Sequence, residues 1–362
     1  MNQENKQLRY GWTTGACATA AAKAAYHAIH NGFFLDCVEI TLPQGKKVTF
    51  FLLKKEIISA NCAIASVIKD AGDDPDVTHG AEIIVQIKKI AKGEGIVFKA
   101  GEGVGTITKP GLPLAVGEPA INPVPRQMIC NALAEITADP DAEVTIGVTN
   151  GKEIALKTMN PRLGILGGLS ILGTTGIVVP FSCAAWIASI HRGIDVARAE
   201  GIDHLIASTG NVSERAAQKL YDAPESALIE MGDFAGGVLK YIKTHPVKKL
   251  TLAGGVAKMT KLAQGHLDLH SKRSSVDLNL LVEWVVQLGA DEDLVSQIRK
   301  ANTTAEVFFL CQGKIPLGDF VAGKAFKIAQ QVLVPVSIKL EILLFDRQGQ
   351  CHGIVANGIH LS

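Results

Sequence analysis

The sequence predicts two domains of different class: a hairpin-rich α+β domain over residues 1–160, joined to a three-layer α/β domain with a parallel sheet over 161–335. Three observations carry that reading. The first half holds alternating apolar and polar runs broken by Pro-Gln-Gly and Asn-Gly, the pattern of antiparallel hairpins. The second half repeats a short apolar strand, a glycine loop and a helix, which implies parallel strands and right-handed crossovers. Between them, residues 160–182 form a stretch with five glycines in which Arg162 is the sole charge.

The whole-chain properties fit. A length of 362 residues suits two domains, and 47% hydrophobic with 20% charged residues supplies a sizeable core. A net charge of +1 argues against a broad nucleic-acid or anionic-membrane surface, so any anion site is local. Seven dispersed cysteines without a C-x-x-C pair read as reduced thiols of a cytoplasmic protein. The polar residues 1–10 lack the apolar centre of a signal peptide. Residues 163–190 carry no charge and are long enough to span a bilayer. Five glycines and Pro180 interrupt them, so they read as buried soluble backbone.

Taken in order, residues 16–30 are alanine-rich helix material that Asn31-Gly32 should stop, with Thr13 or Thr14 as N-cap. The T-T-G entry to this helix either simply caps it or presents N–H groups to an anion. Hairpins are expected at 38–53, at 144–156 and at 338–355. Their likeness hints at a return of the C-terminal hairpin (336–362) to the first domain without fixing it. Residues 70–79 gather Asp70, Asp73, Asp74, Asp76 and His79. That is a solvated turn held by Pro75, or a carboxylate poised in a cleft; its spacing lacks the calcium-loop form. Residues 99–129 are rich in glycine and proline and contain Lys109, Glu118, Asn122 and Arg126, the last entering a helix over 125–137.

In the glycine stretch, Gly167, Gly168, Gly173, Thr174, Thr175 and Gly176 read either as backbone against a ligand or as a tightly packed crossover. Strands at 204–207, 227–230 and 250–253 follow, each ending in a glycine loop before a helix, the plan of a Rossmann-like domain. Ligands bind beyond the carboxyl ends of such strands. That edge holds Ser208, Thr209, Gly210 and Asn211, then Gly232 and Asp233, then Gly254 and Gly255. Asn211 and Glu214 have capping-box spacing. His266 and His270 would share one face if their segment were helical. Two imidazoles and one aspartate fall short of a zinc site, so no metal is assigned.

Read together, four strings resemble the CbiD family: R-Y-G-W-T-T-G-A-C-A-T-A-A-A-K-A (9–24), D-A-G-D-D-P-D-V-T-H-G (70–80), G-V-G-T-I-T-K-P-G-L-P-L-A-V-G-E-P-A-I-N-P-V-P-R (103–126) and the glycine stretch from Asn160. A fifth, A-K-M-T-K-L-A-Q-G-H-L-D-L-H-S (257–271), departs only in having Ala257 where the family has glycine. The resemblance covers nearly the whole chain. It implies methyl transfer from S-adenosyl-L-methionine to C1 of cobalt-precorrin-5B, giving cobalt-precorrin-6A in anaerobic cobalamin biosynthesis. Cobalt would arrive within the corrinoid substrate. Transient contacts with neighbouring pathway enzymes would be natural, and the oligomeric state stays open.

For that chemistry the candidate bases are Asp73, Asp74, His79, Glu102 and Glu118. The substrate's carboxylates call for Lys109, Arg126, Arg162, Lys258, Lys261, Lys272 and Arg273. Thr13, Thr14, Asn122, Thr174, Thr175, His266 and His270 would supply further polar contacts. S-adenosylmethionine is expected along residues 208–211 and 254–255, with Gly167 and Gly168 as a further backbone surface and the corrinoid in a cleft toward the first domain. Two rival classes are a corrinoid-carrying scaffold without chemistry of its own and a transferase for a phosphorylated ligand. The absence of G-K-[ST] after any strand counts against the second.

Overall fold

The computed structural model describes residues 8–357 and 359–360. The N-terminal residues 1–7, and residues 358, 361 and 362 of the expected C-terminal hairpin region, lie outside the described residues. The chain forms two compact units that change over between Cys183 and Ala184. The class is as expected, α+β followed by α/β.

In the first unit a five-stranded sheet has the order Lys55–Ser59, Cys62–Ile68, Glu82–Lys89, Ala142–Val148, Ile96–Ala100, with only the last pair parallel. Ile83, Val85 and Ile87 alternate inward opposite Val144, Ile146 and Val148, all essentially buried. The helix Thr14–Asn31 packs against this sheet and is buried around most of its circumference. Its alanines permit that close approach, because larger side chains would hold the helix off its neighbours. Thr13 is its N-cap, accepting from the Ala16 amide, and Gly32 ends it in the left-handed region at φ 80°. A second helix, Pro123–Ala134, lies beside it.

The hairpin Cys37–Thr41 with Lys47–Phe51 forms as expected. The one expected at 144–156 does not. Ala142–Val148 is an interior strand, and Asn150 at φ 55° turns the chain into the short helix Gly151–Ala155. Ala142–Val148 is already paired on both edges, with Glu82–Lys89 and Ile96–Ala100, so it has no free edge for a return strand, and Gly151 packs with its Cβ position 2.2 Å from the Gly103 carbonyl oxygen.

In the second unit four parallel strands lie in the order Leu228–Glu230, His204–Ser208, Lys249–Gly255, Lys339–Phe345. The strand Cys351–Ala356 then adds antiparallel, followed by Ile359–His360. The C-terminal hairpin therefore joins this sheet and does not return to the first domain. Leu340, Ile342 and Leu344 are buried on one face and Leu343 and Phe345 on the other, as an interior strand covered on both sides requires. The helix Asn211–Tyr221 covers the second face, while Ala235–Thr244, Val256–Ala263 and Leu317–Leu333 contribute to the core on the first. No helix among the described residues is long and apolar enough to cross a membrane.

The change-over also differs from the expected boundary at 160. The glycine stretch belongs to the first unit because its backbone pairs there, as the site geometry makes plain.

Candidate functional sites in the two units

The glycine stretch is stitched to the glycine- and proline-rich segment before it. Ile165 and Leu166 pair antiparallel with Ile107 and Thr106. The Leu169 amide donates to Gly103 O at 2.8 Å, the Gly105 amide to Leu169 O at 2.9 Å, and the Asn122 amide to Ile171 O at 2.9 Å. Glycine is needed where these backbones cross: a Cβ on Gly168 would lie 2.3 Å from the Gly103 carbonyl. Gly167 differs, with φ 86° and open space where a side chain would be. Of this adjacent pair, Gly168 is packing and Gly167 is exposed backbone.

The same stretch covers the amino end of the first helix. Gly15 N donates to Leu172 O at 3.0 Å, and the Thr14 hydroxyl accepts from the Leu172 amide at 2.9 Å. Thr13 and Thr14 are buried, and the Thr13 side chain fills the place a Cβ on Gly173 would take. Both hydroxyls and the first-turn amides of Gly15 and Ala16 are thus engaged within the protein, which leaves little of this helix end for an anion. Thr175 closes a local turn with Ile177 and Thr174 is exposed. The stem of Lys109 lies over Gly164, two residues from Arg162.

The acidic loop is a tied knot. Arg9 holds Asp70 with both guanidinium nitrogens, and that hydrogen bond brings the Asp70 carboxyl down to about 2. Asp73 accepts from the Arg9 amide at 2.7 Å, Asp74 from the Phe181 amide at 2.8 Å, and Asp76 from the buried Lys69 ammonium at 2.6 Å. His79 Nδ1 accepts from the Ala71 amide at 3.1 Å. An accepting Nδ1 puts the proton of the neutral ring on Nε2, so the half-exposed His79 is arranged as a donor rather than a base. Glu118 accepts from Arg126 at 2.6 Å, and Arg126 also donates to Ile121 O at 2.8 Å. Arg126 thereby clamps its own loop. Glu102 is exposed, and Asn122 starts the Pro123–Ala134 helix without a side-chain cap bond.

Sequence reasoning missed Phe181. It is 65% exposed yet holds φ 56°, rare for a bulky residue, with its amide fixed by Asp74. The signal was present in the adjoining Pro180 and the charge-free run, but neither reports φ.

In the second unit the parallel order, counted along the chain, is 2-1-3-4. Strands one and three are neighbours whose chains leave in opposite directions, which opens a crevice at their carboxyl ends. Two helices start there, Asn211–Tyr221 from Gly210 and Val256–Ala263 from Gly255, neither with a side-chain cap. Gly210 faces open space, and the nearest atom to a Cβ on Gly255 is Phe345 O at 4.0 Å. Both helix starts thus have room beside the backbone of the glycine that precedes them, and a helix start favours an anionic or polar group. Gly210, in extended backbone, takes the cap position expected of Asn211, which is exposed in the first turn.

Gly254 is a packing glycine, since its Cβ would meet Met259 Sδ at 2.6 Å. Thr209 and Asp233 share a cation: Lys258 Nζ lies 2.9 Å from Thr209 O and 3.0 Å from Asp233 Oδ1. The Ser208 hydroxyl is buried and has no hydrogen-bond partner, an orphan at the end of strand His204–Ser208. The Gly232 amide reaches back to Ser208 O at 3.3 Å.

The His266–His270 segment follows the end of the Val256–Ala263 helix and is irregular, so the two imidazoles do not share a helix face. It folds against the Asp233 loop, with Leu269 N donating to Asp233 O at 2.8 Å and Lys261 Nζ to Leu269 O at 2.9 Å. Asp268 takes Arg273 at 2.7 Å, and His270 Nδ1 accepts from the exposed Lys272 amide at 3.2 Å. Among the described residues no three His, Cys, Asp or Glu gather as a metal site.

The sequence matches the CbiD family model over residues 1–180 and the model of the CbiD C-terminal domain over 268–355. A cobalt-precorrin-5B C(1)-methyltransferase of Agrobacterium fabrum is 55% identical over 98% of this chain and 94% of its own length. Proteins of the same name from Brucella anthropi, 54% identical over 96% of each chain, and Methylorubrum extorquens, 52% identical over 96% of this chain and 98% of its own, are similarly close. A crystal structure of the cobalamin biosynthesis protein CbiD from Archaeoglobus fulgidus aligns at TM-score 0.39 and 26% identity, covering 69% of this chain and 77% of that one. With relatives this similar over nearly its whole length, the chain belongs to the CbiD family.

Proposed function

We propose that this protein transfers a methyl group from S-adenosyl-L-methionine to C1 of cobalt-precorrin-5B, the substrate in its relatives' names. The observation that carries the reading is the crevice of the second unit. Two uncapped helix starts, Gly210 and Gly255, flank an orphaned Ser208 hydroxyl at the topological switch point. Open backbone at two helix starts without side-chain caps suits a small ligand with a carboxylate.

S-adenosylmethionine supplies an electrophilic methyl group on a sulfonium. The chain's own contribution is then mostly alignment of donor and acceptor. The starts of the Asn211–Tyr221 and Val256–Ala263 helices take the donor's carboxylate. Lys258, fixed between Thr209 and Asp233, stiffens the rim. Candidates for the proton acceptor are Asp73, Asp74 and Glu102. Asp73 and Asp74 each have one oxygen outside the hydrogen bonds that fix them, and Glu102 is exposed.

Calorimetric titration of S-adenosylhomocysteine tests the placement. Gly255→Val puts a branched side chain into open space at a backbone of φ −67° that valine adopts, so the fold should survive and binding be lost. Unchanged affinity would refute it. Single-turnover methylation by Asp73→Asn, Asp74→Asn, Glu102→Gln and Glu118→Gln should expose one large loss of rate. Corrinoid binding without any transfer from labelled donor by the purified wild type would favour the scaffold instead.

A further inference from the structure

We infer that Phe181, with Tyr10 and Val179, forms the apolar platform on which the corrin ring of the substrate rests. The inference rests on the reading that this protein acts on a cobalt corrinoid. Gly11 and Trp12 pair antiparallel with Val178 and Ile177, and Tyr10 and Val179 continue the two arms beyond that pair. Tyr10, Val179 and Phe181 are 56%, 48% and 65% exposed. Three large apolar side chains on one short ribbon make a patch that water penalises unless something covers it.

The ribbon is firmly mounted. Pro180 is buried, and the Phe181 amide donates to Asp74 at 2.8 Å. On the other arm, the Arg9 amide donates to Asp73 at 2.7 Å, and the Asp73 amide returns to Arg9 O at 2.9 Å. A Cβ on Gly72 would stand 2.1 Å from Arg9 O, so the acidic loop lies directly on the ribbon's backbone. Phe181 keeps φ 56°, a conformation that costs a bulky residue stability, yet its ring stays in solvent. Strain held where it adds no packing points to a ligand.

Charge selects the occupant. Lys46 stands at the Trp12 end of the ribbon, its ammonium 6.0 Å from the centroid of that indole. Among the described residues no carboxylate pairs with it. A flat conjugated ring edged with carboxylates matches an apolar, partly aromatic platform with a cation at its end. A ring seated there lies beside Asp73 and Asp74, the candidate proton acceptors, each fixed to one arm of the ribbon.

Cobalt-precorrin-5B is the probe, titrated by its visible absorption into wild type, Phe181→Ala, Phe181→Tyr and Lys46→Gln, with the melting temperature of each variant measured alongside. Phe181→Ala should bind roughly 5- to 150-fold more weakly, the usual value of one stacked aromatic contact, and melt where wild type does. Phe181→Tyr, which keeps the aromatic face, should keep most of the affinity. Lys46→Gln should bind more weakly and with a shallower dependence on salt. Binding by Phe181→Ala within about twofold of wild type overturns this inference alone, as does an equal loss in Phe181→Tyr or a melting temperature that falls in step with affinity. Affinity and salt dependence unchanged in Lys46→Gln overturn the charge match that selects the occupant. No binding by wild type overturns the parent reading and this inference with it.

Discussion

Replacing Gly168 with alanine isolates what the central glycine stretch does. The new methyl would stand 2.3 Å from the Gly103 carbonyl carbon and oxygen. Carbon contacts settle near ~3.5 Å or beyond, so two backbones must part by roughly 1.2 Å. The hydrogen bonds from Leu169 N to Gly103 O at 2.8 Å and from Gly105 N to Leu169 O at 2.9 Å cross that gap. Losing both costs about 1–3 kcal/mol net, and the overpacking adds about 1–3 kcal/mol. The sum, about 2–6 kcal/mol, is a large share of a stability of about 5–15 kcal/mol. Gly167→Ala is the control: at φ 86° with nothing within 4 Å, it meets only the left-handed penalty of about 1–2 kcal/mol. Urea unfolding followed by far-ultraviolet circular dichroism compares the two. If Gly168→Ala is no more destabilising than Gly167→Ala, the packing argument is wrong.

Further outcomes follow from the same geometry. Asp70 is held at about 2 by Arg9, below an ordinary carboxylate, so its contribution is present above about pH 4 and fades as pH falls toward 2. Arg9→Gln should flatten that part of the melting-temperature profile between pH 2 and 5; parallel profiles would refute it. Glu341 is buried and accepts from Tyr221 and from Thr251 at 2.8 Å, beside Lys249 at 3.1 Å. Glu341→Ala orphans all three and should cost about 3–5 kcal/mol in chemical denaturation, while Glu341→Gln, which keeps an acceptor, should cost clearly less. Phe181→Gly should leave thermal stability unchanged or raise it by up to about 1 kcal/mol, because it releases the strained φ of an exposed side chain. A loss above about 1 kcal/mol would mean that the exposed ring packs more than its surface position shows.

Local pattern alone determined most of the elements. The alanine run, Thr13 and Gly32 define the first helix because propensity and caps act within one turn. The repeated strand, glycine loop and helix define the parallel sheet, and with it the edge where Gly210 and Gly255 stand open. Tertiary structure decided whatever depends on a distant partner. Asn150-Gly151 has the composition of a hairpin turn, but Glu82–Lys89 and Ile96–Ala100 already hold both edges of the strand before it. Strand Lys339–Phe345 pairs parallel to Lys249–Gly255 in the second sheet, where Leu340, Ile342 and Leu344 enter one core and Leu343 and Phe345 the other. Spacing cannot tell a glycine pressed on a neighbour, such as Gly168 on backbone or Gly254 on the Met259 side chain, from one left open, such as Gly167 or Gly255. That distinction belongs to the neighbour across the gap, as does the partner that turned Arg126, Lys258 and Asp74 into structural ties.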